Sequence, residues 1–185
     1  MFYVTNLFID RFKFINIKIF NLMSDTSNYS HNLFYINKFL KITSKIINEI
    51  NKNLGWTLLF CQFGVIGFTN DVIEMLIKGS ENSFLLLFYL LFFLLLVVLI
   101  SFQCNRVEKC GEKISRICYK LHFLAEDEAI KQDLFVLAMY AKRWKPVFSA
   151  AGFNNINQST LNFLFFAVVT NFVIILQFGN MTNNY

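Results

Sequence analysis

The chain of 185 residues has few of the residues that interrupt helices, and it has little charge. It contains one proline and seven glycines, and only 16% of its residues are charged. So few helix breakers favour long, uninterrupted helices. Soluble domains carry about a quarter charged residues. This chain instead has 56% hydrophobic residues and 24 phenylalanines, which indicates a membrane protein.

Motifs of several protein classes are missing. No glycine-rich phosphate loop, GxSxG or HExxH motif occurs, so the sequence gives no support to an enzyme, a catalytic residue or a cofactor. The four cysteines and two histidines lack metal-ligand spacing, and we expect no metal. The apolar runs do not alternate with polar residues as in a β-barrel. Basic residues cluster beside these runs, a pattern typical of membrane orientation rather than nucleic-acid binding.

The last forty residues, 146–185, contain no Asp, Glu, Lys or Arg. They include the run LNFLFFAVVTNFVIILQF, residues 161–178, which is long enough to cross a membrane. Lipid offers no hydrogen-bond partner to an amide or hydroxyl group. We therefore expect the polar side chains in this run to face protein or a water-filled space; they are Asn162, Thr170, Asn171 and Gln177.

Two further spans precede it. Residues 83–102 are twenty residues without a charge. An earlier apolar run begins at Gly55 and Trp56 and ends near Asp71 and Glu74. The link between the two runs is short, which predicts an antiparallel hairpin. Asp71 and Glu74 share a helix face, and they belong either to the outer membrane boundary or to a ligand or ion site.

The remaining segments are amphipathic. Residues 1–22 are either an interfacial helix or the lower end of a further span, and the polar residues 24–32 indicate a loop. Residues 33–54 show helical periodicity and lead into the first span. Residues 103–159 predict two helices joined at the charged segment 125–129. The second of these has an apolar face formed by Leu134, Leu137, Ala138 and Ala141.

The distribution of basic residues predicts the orientation in the cell membrane. Seven basic residues precede Leu54 and nine lie between Arg106 and Lys145, whereas one, Lys78, lies between the first two spans and none follows the last. Basic residues favour the cytoplasmic side. We therefore predict a multi-pass protein with a cytoplasmic N-terminus and an extracellular C-terminus.

The fold class predicted is an all-α membrane protein with three transmembrane helices and long cytoplasmic amphipathic helices between the second and third. Its predicted regions are cytoplasmic or interfacial helices at 1–54, a transmembrane hairpin at 55–103, cytoplasmic anchor helices at 104–158, and a pore-lining helix with an extracellular C-terminus at 159–185.

One face of the last helix combines bulky apolar and polar residues. Spacings of three and four place on it Phe163, Phe166, Thr170, Ile174 and Gln177. Amides can replace part of an ion's hydration while apolar side chains close a path, so this face could line a narrow pore. Alternatively, Gln177 lies at the outer interface and Thr170 bonds back to its own helix.

Two motifs near the C-terminus resemble those of a known family. The segment Thr170-Asn171-Phe172-Val173-Ile174-Ile175-Leu176-Gln177-Phe178 resembles the terminal motif of insect gustatory receptors, Thr-Tyr, five apolar residues and Gln-Phe, with Asn in place of Tyr. The segment Phe148-Ser149-Ala150-Ala151-Gly152-Phe153-Asn154-Asn155-Ile156-Asn157 resembles the sequence before the family's last helix. Residues 11–16 resemble the lower end of its fourth span, and residues 47–55 resemble the stretch that precedes its fifth span, in the right order. These receptors belong to the seven-transmembrane chemosensory receptor superfamily.

The resemblance implies a ligand-gated, non-selective cation channel, assembled as a homo- or hetero-tetramer that responds to a small-molecule tastant. The last helix of each subunit would line the pore, and residues 107–151 would form the intersubunit anchor. Gln177 and Phe178 would form the constriction, with Ile174 one turn below and Thr170 further along the same face. The family's inverted topology agrees with the orientation predicted from charge.

The resemblance covers only the last three spans of such a receptor and the foot of the fourth. We therefore expect a truncated chain, to whose ligand site only the outer ends of the first two spans, residues 68–83, could contribute. The alternatives are a three-span accessory or structural subunit without its own conduction, and a non-functional fragment.

Overall fold

The structure is a computed structural model that describes residues 1–20, 29–77 and 83–182. Within these residues the chain forms five helices and one short hairpin. In order they are α1 (Phe2–Phe20), α2 (Tyr29–Ile77), α3 (Ser83–Leu124), α4 (Glu128–Arg143), β1 (Ser149–Ala150), β2 (Asn154–Asn155) and α5 (Gln158–Thr182). Helices α2, α3 and α5 contain segments long and apolar enough to cross a membrane. The predicted all-α fold with three membrane-spanning helices is confirmed.

Helices α2 and α3 are 49 and 42 residues long, about twice what a bilayer requires. The amphipathic stretch 33–54 continues into the first span without a break. Gly55 lies at this junction, and a single glycine destabilises a helix by only about 1 kcal/mol. The loop predicted at 24–32 is wrong for residues 29–32, which begin α2. Residues 24–28 and the predicted link at 78–82 lie outside the described residues.

The chain divides into two compact units, each built from two stretches. Met1–Asn51 and Gln103–Phe148 form the first, and Lys52–Phe102 and Ser149–Tyr185 form the second. In the second unit, Val65 and Val72 of α2 cluster with Leu90 of α3, and the rings of Phe68 and Phe93 stack 6.1 Å apart. The two spans therefore pack against each other through apolar side chains.

The first unit has a core of aliphatic and aromatic side chains from α1, α2, α3 and α4. The ring of Phe12 is fully buried and lies edge-on to Phe39 at 5.6 Å. Residues 125–127 of the charged segment join α3 to α4, and Asp127 caps α4 by accepting a hydrogen bond from the Ala129 N–H at 2.8 Å. The predicted apolar face of α4 is confirmed, since all four of its residues are buried: Leu134, Leu137, Ala138 and Ala141.

A cluster of charged side chains fastens the segment after α4 to the charged half of α3, beyond the span. Lys145 Nζ lies 2.7 Å from Glu108 Oε1 and 2.6 Å from Glu112 Oε1. The hydrogen bond from Lys145 is the largest influence on Glu112 and lowers its pKa. Burial alone would lower the pKa of Lys145, but its hydrogen bonds to both carboxylates and the attraction of their negative charges together outweigh burial and raise it.

The residue after Lys145 also fits α3 closely. A Cβ atom on Gly111 would overlap the ring of Pro146. Only a glycine lets the proline ring approach the helix this closely.

Replacing Lys145 with Met should lower the free energy of unfolding by about 1 kcal/mol at neutral pH, because Glu108 and Glu112 lose the cation that they share. Glu112 then keeps only its ion pair with the exposed Arg116. The figure allows for solvent screening, since the Lys145 side chain is 30% exposed. Thermal unfolding of the purified protein in detergent micelles measures the effect. Lys142→Met, which removes an exposed lysine of α4, is the matched control.

The loss of stability caused by Lys145→Met should depend on pH. Glu112 has a lowered pKa, so its stabilisation is present above its ordinary pKa of 4.5 and is lost as the pH falls through the folded value. The raised pKa of Lys145 matters only in alkali, above its ordinary pKa of 10.5. The difference in the free energy of unfolding between wild type and Lys145→Met should therefore become smaller at acidic pH. An equal difference at all pH values would contradict this account.

Candidate functional site

Helix α5 carries the residues predicted to line a pore. Thr170 and Gln177 are exposed, and Ile174 is 44% exposed. Helical spacing places all three on one face, which Phe163 and Phe166 extend towards the start of the helix. The described part of the chain leaves this face uncovered. Phe178 belongs to α5, and its side chain lies outside the described part of the structure.

A different face of α5 packs against the chain. Thr160 and Leu164 are 3% and 6% exposed, and the half-buried residues Val168, Asn171 and Ile175 continue the same stripe. At 100° per residue this stripe lies about 120° around the helix from the exposed face. Asn171, for which the sequence suggested no role, therefore lies on the packed face of α5.

A tight hairpin precedes α5. Ser149 pairs with Asn155 and Ala150 with Asn154 in antiparallel register. The turn between them requires positive φ angles, 51° at Ala151 and 79° at Gly152. Glycine adopts this conformation freely, whereas an alanine there is strained.

The hairpin contacts α2 through its backbone. A Cβ atom on Gly55 would lie 2.6 Å from the Ala151 nitrogen. One residue further along α2, the Trp56 ring lies edge-on to Phe153 at 6.1 Å. Two turns beyond Gly55, Gln62 Oε1 accepts a hydrogen bond from Asn154 Nδ2 at 3.1 Å. The hairpin is thus attached to α2 at two points.

The first turn of α5 is attached to the same hairpin. The hydroxyl of Thr160 donates a hydrogen bond to the Asn155 carbonyl of β2. The side-chain oxygen of Asn157 accepts one from the Ser159 N–H at 2.9 Å and caps the helix. The position of the last helix is therefore set by a chain of polar contacts from α2 through the hairpin.

A cavity of about 450 Å³, called here the junction cavity, lies between these elements. Its walls come from α2, the hairpin and α5, and none of the described residues that line it is charged: Leu59, Gln62, Phe63, Ile66, Phe153, Asn154, Asn155, Asn157, Ser159, Thr160 and Phe163. The Oδ1 atom of Asn154 is buried and has no hydrogen-bond partner in the described part of the chain. The sequence interpretation missed this site, although a glutamine in an uncharged apolar run was a usable signal.

The other predicted candidates lie elsewhere. Asp71 and Glu74 are exposed near the end of α2 and do not line the junction cavity. Within the described ranges, no group of three or more His, Cys, Asp or Glu side chains could hold a metal ion.

Three long apolar helices with exposed apolar faces define a multi-pass membrane protein. A family model described as 7tm chemosensory receptor matches residues 1–182. The chain belongs to the seven-transmembrane chemosensory receptor family, as its terminal motif suggested. No curated protein matches the chain.

Replacing Gly55 with Ala should destabilise the protein by about 1–3 kcal/mol, because the new methyl group would overlap the hairpin backbone, which cannot rotate away. The matched control is Gly67→Ala, in the same helix, where a Cβ atom meets no described atom within 4 Å. That change should be neutral or stabilising by up to about 1 kcal/mol. Thermal unfolding in micelles compares the two, and equal midpoints would contradict the close contact at Gly55.

Proposed function

We propose that the chain is a gustatory-type receptor subunit of a tetrameric, ligand-gated, non-selective cation channel. The observation that carries the proposal is the uncovered face of α5, on which Thr170, Ile174 and Gln177 follow one another while another face of the helix packs against the chain. Four copies of such a face meeting around an axis would enclose a narrow path. The terminal Gln-Phe motif supports the gustatory type.

The proposed path suits weakly selective passage of cations. The amide oxygen of Gln177 would replace part of an ion's hydration, and Ile174 and Phe178 would close the path with apolar bulk. Thr170 would offer a hydroxyl one turn before Ile174. Helix α5 contains no charged residue, so no ring of fixed charge would select strongly between ions.

In the proposed arrangement the N-terminus and residues 104–158 are cytoplasmic, and the C-terminus is extracellular. The two blocks of basic residues support this orientation. The ligand would be a small molecule, as the chemosensory family suggests.

A second candidate is an accessory subunit that contributes no pore. Phe163 and Phe166 are 60% and 67% exposed on the same face of α5, and such bulky rings would also pack well against another membrane protein.

Replacing Gln177 with Ala should change block of ligand-evoked current by a pore blocker about three- to tenfold, because one hydrogen bond contributes about 0.5–1.5 kcal/mol. The chain would be expressed in cells alone and with a full-length receptor, and current recorded under voltage clamp. Gln158→Ala, at the exposed first residue of α5, is the matched control and should leave block unchanged.

Unchanged block and ion selectivity in Gln177→Ala would contradict the pore assignment. Two results together would favour the accessory subunit. The chain expressed by itself would reach the cell surface but carry no current. Co-expressed with a partner, it would alter the current amplitude but leave block and ion selectivity unchanged.

Epitope tags test the orientation. A C-terminal tag should bind antibody on intact cells, and an N-terminal tag should bind only after permeabilisation, because the basic blocks hold their flanking segments in the cytoplasm. The reverse pattern would contradict the proposed topology, and with it the extracellular end of the pore.

A further inference from the structure

We infer that the junction cavity binds a neutral amphiphile with a hydroxyl group on an apolar body. Sterols, diacylglycerols and long-chain alcohols share this chemistry. The inference concerns binding at the start of α5 and does not depend on the proposed conduction.

The size and walls of the cavity suit such a ligand. Its volume of about 450 Å³ lies within the range of about 300–1,000 Å³ typical of small-molecule sites. Much of the wall is apolar, with Leu59, Phe63 and Ile66 from α2 and Phe163 from α5. An apolar ligand body would bury its surface there.

The polar wall includes Asn154, whose side-chain acceptor atom is shielded from water. Asn154 donates its amide hydrogen to Gln62, which is only 6% exposed, and this bond fixes the orientation of the Asn154 side chain. Its Oδ1 atom is buried without a partner in the described part of the chain. An unsatisfied buried acceptor is unfavourable. A ligand hydroxyl group that displaces the neighbouring side chains enough to reach this atom would satisfy it, so a ligand that donates a hydrogen bond is favoured over one that only accepts.

The absence of charge among the described lining residues restricts the ligand further. A carboxylate or phosphate group that entered the cavity would lose its hydration and find no cation there to pair with. Free fatty acids and the phosphate groups of phospholipids are therefore poor ligands. A hydroxyl group is the simplest uncharged donor.

The test uses the full chain reconstituted in phosphatidylcholine vesicles. Diazirine-bearing cholesterol, diacylglycerol and hexadecanol serve as three separate photoreactive probes, which distinguish the possible sources of the hydroxyl group. We expect at least one to label the protein saturably, with the adducts mapped by mass spectrometry to residues 59–66 or 153–163. The unlabelled alcohol should compete at least threefold more strongly than its methyl ether, which cannot donate a hydrogen bond.

Three variants give the assay its controls. Asn154→Ala should weaken labelling about three- to tenfold, and Ile66→Trp, which fills the cavity, should abolish it. Asn162→Ala removes an amide of α5 outside the lining and should have no effect. Gel filtration and helicity establish that each variant is folded. If Ile66→Trp does not fold, Asn154→Ala decides.

Any of three results would overturn the inference: labelling that does not saturate, equal competition by the alcohol and its methyl ether, or unchanged labelling of Asn154→Ala. So would a failure of all three probes to label, which would mean that the cavity holds water only.

Discussion

The contact between the hairpin backbone and Gly55 determines where the last helix begins. No charged residue occurs after Lys145, so ion pairs cannot position α5. The structure uses hydrogen bonds instead, from Asn154 to Gln62 and from Thr160 to the Asn155 carbonyl. Away from water such bonds are electrostatically stronger, and their loss is correspondingly more damaging. They can form only because the glycine lets the hairpin reach α2.

The helices could be predicted from the sequence because their signals are local. Residues 83–102 carry no charge, and the face of α4 repeats every three or four residues. The helix boundary at Asp127 followed from a run of acidic residues that suits a helix N-terminus. Each of these signals lies within about twenty residues, so a single sequence is sufficient to read them.

The junction could not be predicted in the same way. The strands of the hairpin are two residues each, too short to show alternation, and their Ser, Ala and Asn residues do not favour strands. Gln62 is separated from Asn154 by 92 positions, and no periodicity relates them. The sequence showed an amide in an apolar run but not its partner. Asn171 had no explanation either, because the packed face of α5 depends on what the rest of the chain contributes.

The docking of α2 on the hairpin also predicts which positions tolerate substitution. The atoms nearest a Cβ on Gly55 are the nitrogen and Cα of Ala151 and the carbonyl oxygen of Ser149, all in the main chain. Every amino acid supplies these main-chain atoms, so the side chain at 149 can vary without loss of this contact. Position 151 is more restricted, because its φ angle of 51° favours glycine and asparagine. Position 55 requires a residue without a Cβ atom, which only glycine provides. In a library of random variants, position 55 should therefore be far less permissive than position 149.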